Sequence, residues 1–218
     1  MRSTGGSLYI NDLFQNNGTA QGTVELQSGA TGKGSGQFDN LVVNTGATFS
    51  PGNSPGTTTD AATTWNGGTY HWEINRLAGD GGAQGQNPGW DLWNTGVLSI
   101  NGAFVITVES LTTGNVSGAL ANWNPTFSQD WRIATSSNGA FSSLANLSLD
   151  TAAFTAYNNL GGGSFSLLSG GGGNELLLHF SAVPEPSSMI LGSHVAAGFA
   201  WRRRRKKNAA TTTTAETL

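Results

Sequence analysis

No cysteine occurs in the 218 residues, which excludes a disulfide framework, a thiolate metal site and a cysteine nucleophile. Charge is also scarce. Asp, Glu, Lys and Arg make up 11% of the chain, against roughly 25% in an ordinary soluble protein. Basic residues are scarcer still outside one block: residues 1–201 hold only Arg2, Lys33, Arg76 and Arg132 against twelve acids, a net −8. Phosphate binding needs distributed Lys and Arg, so a nucleic-acid partner is not expected. Three histidines supply no ligand cluster along the sequence. Ser is abundant, yet no Gly-x-Ser-x-Gly elbow joins a strand to a helix, and no motif places a carboxylate pair for glycoside hydrolysis. The chain therefore reads as non-enzymatic, with no cofactor and no metal. No helical period flanked by caps is sustained before the C-terminal region. The start, Met1-Arg2-Ser3-Thr4, lacks the apolar run of a secretion leader; it opens straight into strand-like Leu8-Tyr9-Ile10, as an interior piece of a longer protein would.

What the sequence has in excess is glycine, 32 residues, about twice the usual ~7%. Residues 7–115 read as short strands cut by Gly, Asn and Thr. Two stretches match at an offset of 17: Val24-Glu-Leu-Gln-Ser-Gly-Ala-Thr31 and Leu41-Val-Val-Asn-Thr-Gly-Ala-Thr48. A strand repeated with a Gly-marked corner predicts a β-solenoid whose passes stack on one another, with a β-sandwich as the alternative. Alternation predicts further strands. Tyr70, Trp72 and Ile74 share one face while His71, Glu73 and Asn75 share the other, and Phe104, Ile106 and Val108 repeat the pattern. Asp130–Thr135, Ser164–Ser169 and Glu175–Ser181 complete the set, and Leu77–Gly89 reads as a Gly-rich loop.

Candidate chemistry is thin. Gly32-Lys33-Gly34-Ser35-Gly36 superficially suggests a phosphate loop, but Gly34 stands where Ser or Thr is needed and Ser28 where Gly is needed, so it reads as a repeat corner. His71 and Glu73, with Asp91 downstream, could form a metal or acid–base pair; the plainer reading is a solvated polar face. Asp80 and Asp91 flank the Gly-rich loop without the repeated Asp pattern of a Ca²⁺ site. Trp65, Trp90, Trp93 and Trp123 lie in or beside loops, where exposed indoles stack on sugar rings or cap the end of a stack.

The composition changes at Val183. Val183-Pro184-Glu185-Pro186-Ser187 holds the backbone extended and accessible. An uncharged, mostly apolar segment follows, carrying Met189, Ile190, Leu191, Val195 and Phe199 and ending at Trp201, where an interfacial aromatic belongs. Six consecutive bases, Arg202, Arg203, Arg204, Arg205, Lys206 and Lys207, then resist translocation and favour the cytoplasmic side. This order resembles the PEP-CTERM sorting signal of Gram-negative bacteria. The resemblance implies processing by exosortase, a membrane-embedded protease or transpeptidase. It also implies transient anchoring in the inner membrane, and a final place at the cell surface or outside the cell, commonly alongside exopolysaccharide or biofilm. The same signature also carries an ice-binding label, which need not describe the body attached to it.

The body carries a second resemblance. Phe49-Ser-Pro-Gly-Asn-Ser-Pro-Gly56, Gly67-Gly-Thr-Tyr-His-Trp-Glu-Ile-Asn75 and Trp90-Asp-Leu92 resemble the end of autotransporter-type passenger repeats, which implies a right-handed parallel β-helix. The expected organisation is a β-solenoid over 1–115, antiparallel capping strands over 116–182, the sorting signal with its short hydrophobic helix over 183–207, and a disordered tail over 208–218. The expected function is structural, a spacer or scaffold in exopolysaccharide. A glycan-binding module using the four Trp residues is the first alternative, and surface or ice adhesion through Thr rows such as Thr57–Thr59 the second.

Overall fold

Gly and Asn interrupt the apolar runs of this chain every few residues, so its strands are short and turn sharply. The computed structural model describes residues 2–183. In them the chain forms β1 (Arg2–Ile10), β2 (Leu13–Gln15), β3 (Thr19–Leu26), β4 (Thr31–Gly34), β5 (Gln37–Val43), β6 (Thr48–Pro51), β7 (Thr57–Trp65) and β8 (Gly68–Ile74). These are followed by β9 (Ala83–Gln84), β10 (Gly89–Trp90), β11 (Leu92–Ile100), β12 (Phe104–Ser110), β13 (Gln129–Thr135), β14 (Leu147–Asp150), a four-residue helix α1 (Ala152–Thr155), β15 (Ser164–Gly170) and β16 (Glu175–Ser181). Strand accounts for 53% of the described residues, which are all-β. The chain divides into one unit from Met1 to Ala182 and a second from Val183 to Leu218; the expected hydrophobic helix and tail belong to the second, outside the described residues.

The strands form two eight-stranded sheets, and from β1 to β8 the chain passes alternately from one to the other. The first has the order β1-β3-β5-β7-β11-β13-β16-β15, and the main path of the second is β14-β12-β8-β6-β4-β2, with β9 and β10 beside β8. Pairing along the first sheet is parallel from β1 through β13 and antiparallel from β13 through β15. The sheets are therefore mixed, and parallel stacking does not extend through the whole body.

Register explains the repeat. Val24 pairs with Leu41, Leu41 with Thr63 and Thr63 with Leu98, so the two matching stretches are neighbours and two less obvious copies continue the series. Each copy ends at an equivalent corner. The backbone N–H groups of Gln27, Asn44, Asn66 and Asn101 donate to Ile10, Leu26, Val43 and Trp65 of the preceding pass at 2.8, 3.1, 2.9 and 2.8 Å. The side chains add a ladder: Asn101 Nδ2 donates to Asn66 Oδ1 at 3.1 Å, and Asn66 Nδ2 to Asn44 Oδ1 at 3.0 Å. Backbones also approach closely at the other corner, where β4 leads into β5. Gly34 has φ +129°, and a Cβ on it would lie 1.9 Å from the Asn16 carbonyl oxygen; only glycine fits. The Gly-Lys-Gly-Ser-Gly stretch is thus a site of close approach between passes.

Inward residues of the two sheets meet in an aromatic core. Phe49, Trp65, Tyr70, Trp93 and Phe104 are all 0% exposed. Trp65 stacks on Phe104 with centroids 4.3 Å apart and planes 5° from parallel, and Trp93 lies 4.5 Å from Phe49 and 5.2 Å from Trp65. Full burial of such a side chain stabilises by about 1.5–3 kcal/mol, with about 0.5–1.5 kcal/mol more from ring geometry. A second aromatic group closes the antiparallel end, where Trp123 and Trp131 pack with Phe154, Phe165 and Phe180.

Candidate functional site

The approach to the sorting segment is built by β16, which lies between β13 and β15 in the first sheet. Its alternating pattern buries Leu176, Leu178 and Phe180. Just past the strand, the Ala182 N–H donates to Ser128 Oγ at 3.0 Å, and Val183 is exposed. Pro184 to Ser187, the apolar segment from Met189 to Trp201 and the basic block Arg202–Lys207 lie outside the described residues. Among the described residues no helix is long and apolar enough to cross a membrane.

Burial corrects the glycan-stacking assignment at three of four positions. Trp65 and Trp93 are 0% exposed and Trp90 is 8% exposed, which leaves no free indole face for a sugar ring. Trp65 and Trp93 fill the centre of the core rather than its end. Trp90 donates from Nε1 to the Arg132 carbonyl at 3.3 Å. Trp123 is half-buried, packs against Trp131 and Phe165, and donates from Nε1 to the Asn159 carbonyl at 2.8 Å. The loop-like neighbourhood of these residues in sequence was misleading: Trp65 and Trp93 are strand residues. Thr57–Thr59 is not an open adhesive row either. Thr57 Oγ1 donates to the Gly85 carbonyl at 3.0 Å, and Thr58 is wholly buried with its hydroxyl on the Gly34 carbonyl.

One carboxylate joins the three segments that carry the second resemblance. Asp91 is 0% exposed; its Oδ1 accepts the Gly56 N–H at 2.8 Å and its Oδ2 the Glu73 N–H at 3.0 Å, while its carbonyl accepts Trp72 Nε1 at 2.9 Å. Burial pushes its carboxyl well above the usual carboxylate range, against the pull of the two backbone donors. Asn75, expected on a solvated face, is instead 1% exposed: its Nδ2 donates to Asn87 and Asn115, both at 2.7 Å, and its Oδ1 accepts the Gly89 N–H at 2.8 Å. These two residues anchor the Gly-rich loop at its base. Both act in architecture.

The expected solvated face of β8 holds a convergence that sequence reasoning missed. Glu109 of β12 pairs in register with Glu73, and His71 Nε2 lies 2.6 Å from Glu109 Oε2. One ligand atom from each of His71, Glu73 and Glu109 falls within 4.8 Å of the others. The available signal was the strand pattern Phe104-Ile106-Val108: aligned with Tyr70-Trp72-Ile74, it puts Glu109 beside Glu73. A buried carboxylate, Asp60, stands apart in the core. Its Oδ2 accepts from Thr63 Oγ1 at 2.8 Å and from Trp93 Nε1, and its Oδ1 has no partner.

Neither a curated protein nor a solved structure matches the chain. A family model described as the PEP-CTERM protein-sorting motif matches residues 182–205, beginning at the alanine that is bonded to Ser128. The chain carries a PEP-CTERM sorting motif directly after its β body.

Proposed function

We propose that this is an exported, non-enzymatic surface or matrix protein. Exosortase sorts it through the C-terminal motif, and its β body serves as a stiff spacer among exopolysaccharide chains. The observation that carries the sorting reading is the motif match at 182–205, placed immediately after a compact β unit. The order of parts gives it a mechanism. Pro184-Glu185-Pro186 presents an extended chain to the processing enzyme, the apolar segment holds the precursor in the inner membrane, and the basic block stays on the cytoplasmic side. Cleavage just after Pro186 leaves residues 1–186 at net −8, so the basic block never meets the partners of the body. The spacer reading draws on the parallel stacking, in which each pass rests on the one before and lengthens the stack by about 4.8 Å.

The experiment is replacement of Pro184, Glu185 and Pro186 by Ala in a host that contains exosortase. The variant is expected to accumulate uncleaved in the membrane fraction, while the parent chain is processed and reaches the surface or medium. Unchanged processing of the variant would overturn the sorting reading.

A further inference from the structure

His71, Glu73 and Glu109 take no part in sorting or in the corner contacts, yet the fold brings them together. His71 and Glu73 are two residues apart on β8 and so rise from one face of the sheet. Glu109 stands opposite Glu73 on the neighbouring parallel strand, about 4.8 Å away along the hydrogen-bonding direction. Like charges directly opposite one another destabilise a sheet, and water relieves little of that repulsion here, because the Glu109 side chain is only 14% exposed. Glu109 has partners in His71 Nε2 and the Ser117 hydroxyl. The Glu73 carboxylate has no hydrogen-bond partner among the described residues, although it faces this pair.

We propose that His71, Glu73 and Glu109 bind a divalent transition-metal ion, zinc by preference, with water completing its coordination. One imidazole nitrogen and two carboxylate oxygens suit zinc, whereas Ca²⁺ takes six to eight oxygens and no imidazole. Donors about 2.1 Å from a tetrahedral ion stand about 3.4 Å from one another. The present separations, 2.6 Å between His71 and Glu109 and all within 4.8 Å across the group, bracket that spacing. All three ligands stand on strands, which hold such a constellation more firmly than loops do. The ion bridges β8 to β12 across the Gly-rich loop that separates them in sequence, and it replaces the repulsion between Glu73 and Glu109 with a shared ligand. With no cysteine in the chain, no thiolate competes for the metal. The other described histidine pair, His179 Nδ1 with Asp130 Oδ1 at 2.6 Å, offers two donors and serves as a control.

The test uses the purified full-length chain, stripped of metal by a chelator and titrated with Zn²⁺ against a chromophoric zinc indicator. The parent chain is expected to take up one zinc and to melt at a higher temperature with it. Glu73→Gln and Glu109→Gln should each weaken binding by about tenfold or more, and His179→Ala should leave it unchanged. Co²⁺ bound to the unmutated chain should give visible bands distinct from those of the hydrated ion, a readout that depends on no variant. Absence of zinc uptake, an unaltered aqueous cobalt spectrum, equal affinity in Glu73→Gln, or loss of binding in His179→Ala would each overturn the proposal.

Discussion

The stacked passes and the antiparallel end of the same body are stabilised in different ways. From β3 to β12 the strands pair in parallel, apart from β10, which runs antiparallel to β8; corners are tied by an Asn ladder, and the interior admits polar groups: Thr58, Asp60, Thr63 and Thr95 are all buried. Around β16 the pairing with β13 and β15 is antiparallel, side-chain contacts Arg132–Glu175 and His179–Asp130 cross the face, and the interior is an aromatic cluster. In the first region each pass rests on its neighbours, so a defect is shared with them. In the second, single large side chains carry the packing, and their loss is felt locally. The sharpest way to break this contrast is Trp93→Ala. Trp93 touches Phe49, Trp65 and Tyr70 and donates to Asp60, so its loss should cost about 4–5 kcal/mol. Trp123→Ala, at the half-buried edge of the other cluster, should cost about 2 kcal/mol. Urea unfolding of both variants measures the difference, and equal losses would erase it.

The polar interior of the stack predicts an unusual dependence on pH. Burial raises the Asp60 carboxyl from 3.8 to about 7, against the hydrogen bonds from Trp93 and Thr63. The folded chain therefore holds this proton more tightly than the unfolded chain. Its contribution is complete below about pH 4 and is lost as pH rises through about 7. Stability should fall by about 4 kcal/mol over that range on account of this group. Asp60→Asn should remove that part of the slope, as seen by comparing unfolding midpoints of the two chains across the same pH series.

Asp91 tests how the inserted loop is tied to the stack. Asp91→Ala leaves the half-buried N–H groups of Gly56 and Glu73 without their acceptor, at about 1–3 kcal/mol each. A loss of about 3 kcal/mol is expected by urea unfolding, with hydrogen exchange rising first at those two amides.

The same insertion explains what could be read in advance. The repeat was visible where Gln27 and Asn44 stand 17 apart, because that pass carries only tight corners. The next interval is 22 residues, lengthened by the Pro51–Gly56 turn, and the next is 35, lengthened by the loop between Asn75 and Asp91. Fixed-period matching fails at both, although register continues unbroken. Strands announced by alternation, such as Phe104–Ser110 and Glu175–Ser181, were legible because one face is buried in each. Burial of Trp65 and Trp93 was not, since a Trp beside Gly and Asn reads as a loop residue until the neighbouring pass is known. The metal-ligating trio was half visible: His71 and Glu73 share a strand, but Glu109 joins them only through pairing across 36 residues.

A smaller effect should separate the corners from ordinary surface contacts. Asn66 gives and receives one amide bond each in the ladder, and Asn66→Ala should cost about 1 kcal/mol. The double variant with Asn101→Ala should cost less than the two single losses together, by about 0.5 kcal/mol or more. Strict additivity would deny that neighbouring passes share their corners.

The smallest effect belongs where the two regions touch. Arg132 of β13 donates to Glu175 on β16 at 2.5 Å and to Gln84 in the inserted loop at 2.9 and 3.2 Å. Its side chain is 42% exposed, so solvent screens the ion pair and its net worth is under about 1 kcal/mol. Arg132→Ala should therefore hardly move the unfolding midpoint. Its Gln84 contacts, however, hold the loop rather than the fold, and they are made to the two-residue strand β9, where Ala83 is exposed and Gln84 half-buried. Opening of such a segment is governed by local contacts and not by global stability. Hydrogen exchange at Ala83 to Gln86 should rise in Arg132→Ala while exchange in β5 and β7 stays as it was. Equal acceleration in all three segments would mean that the loop and the stack open as one unit, and that the boundary between the two regions lies elsewhere.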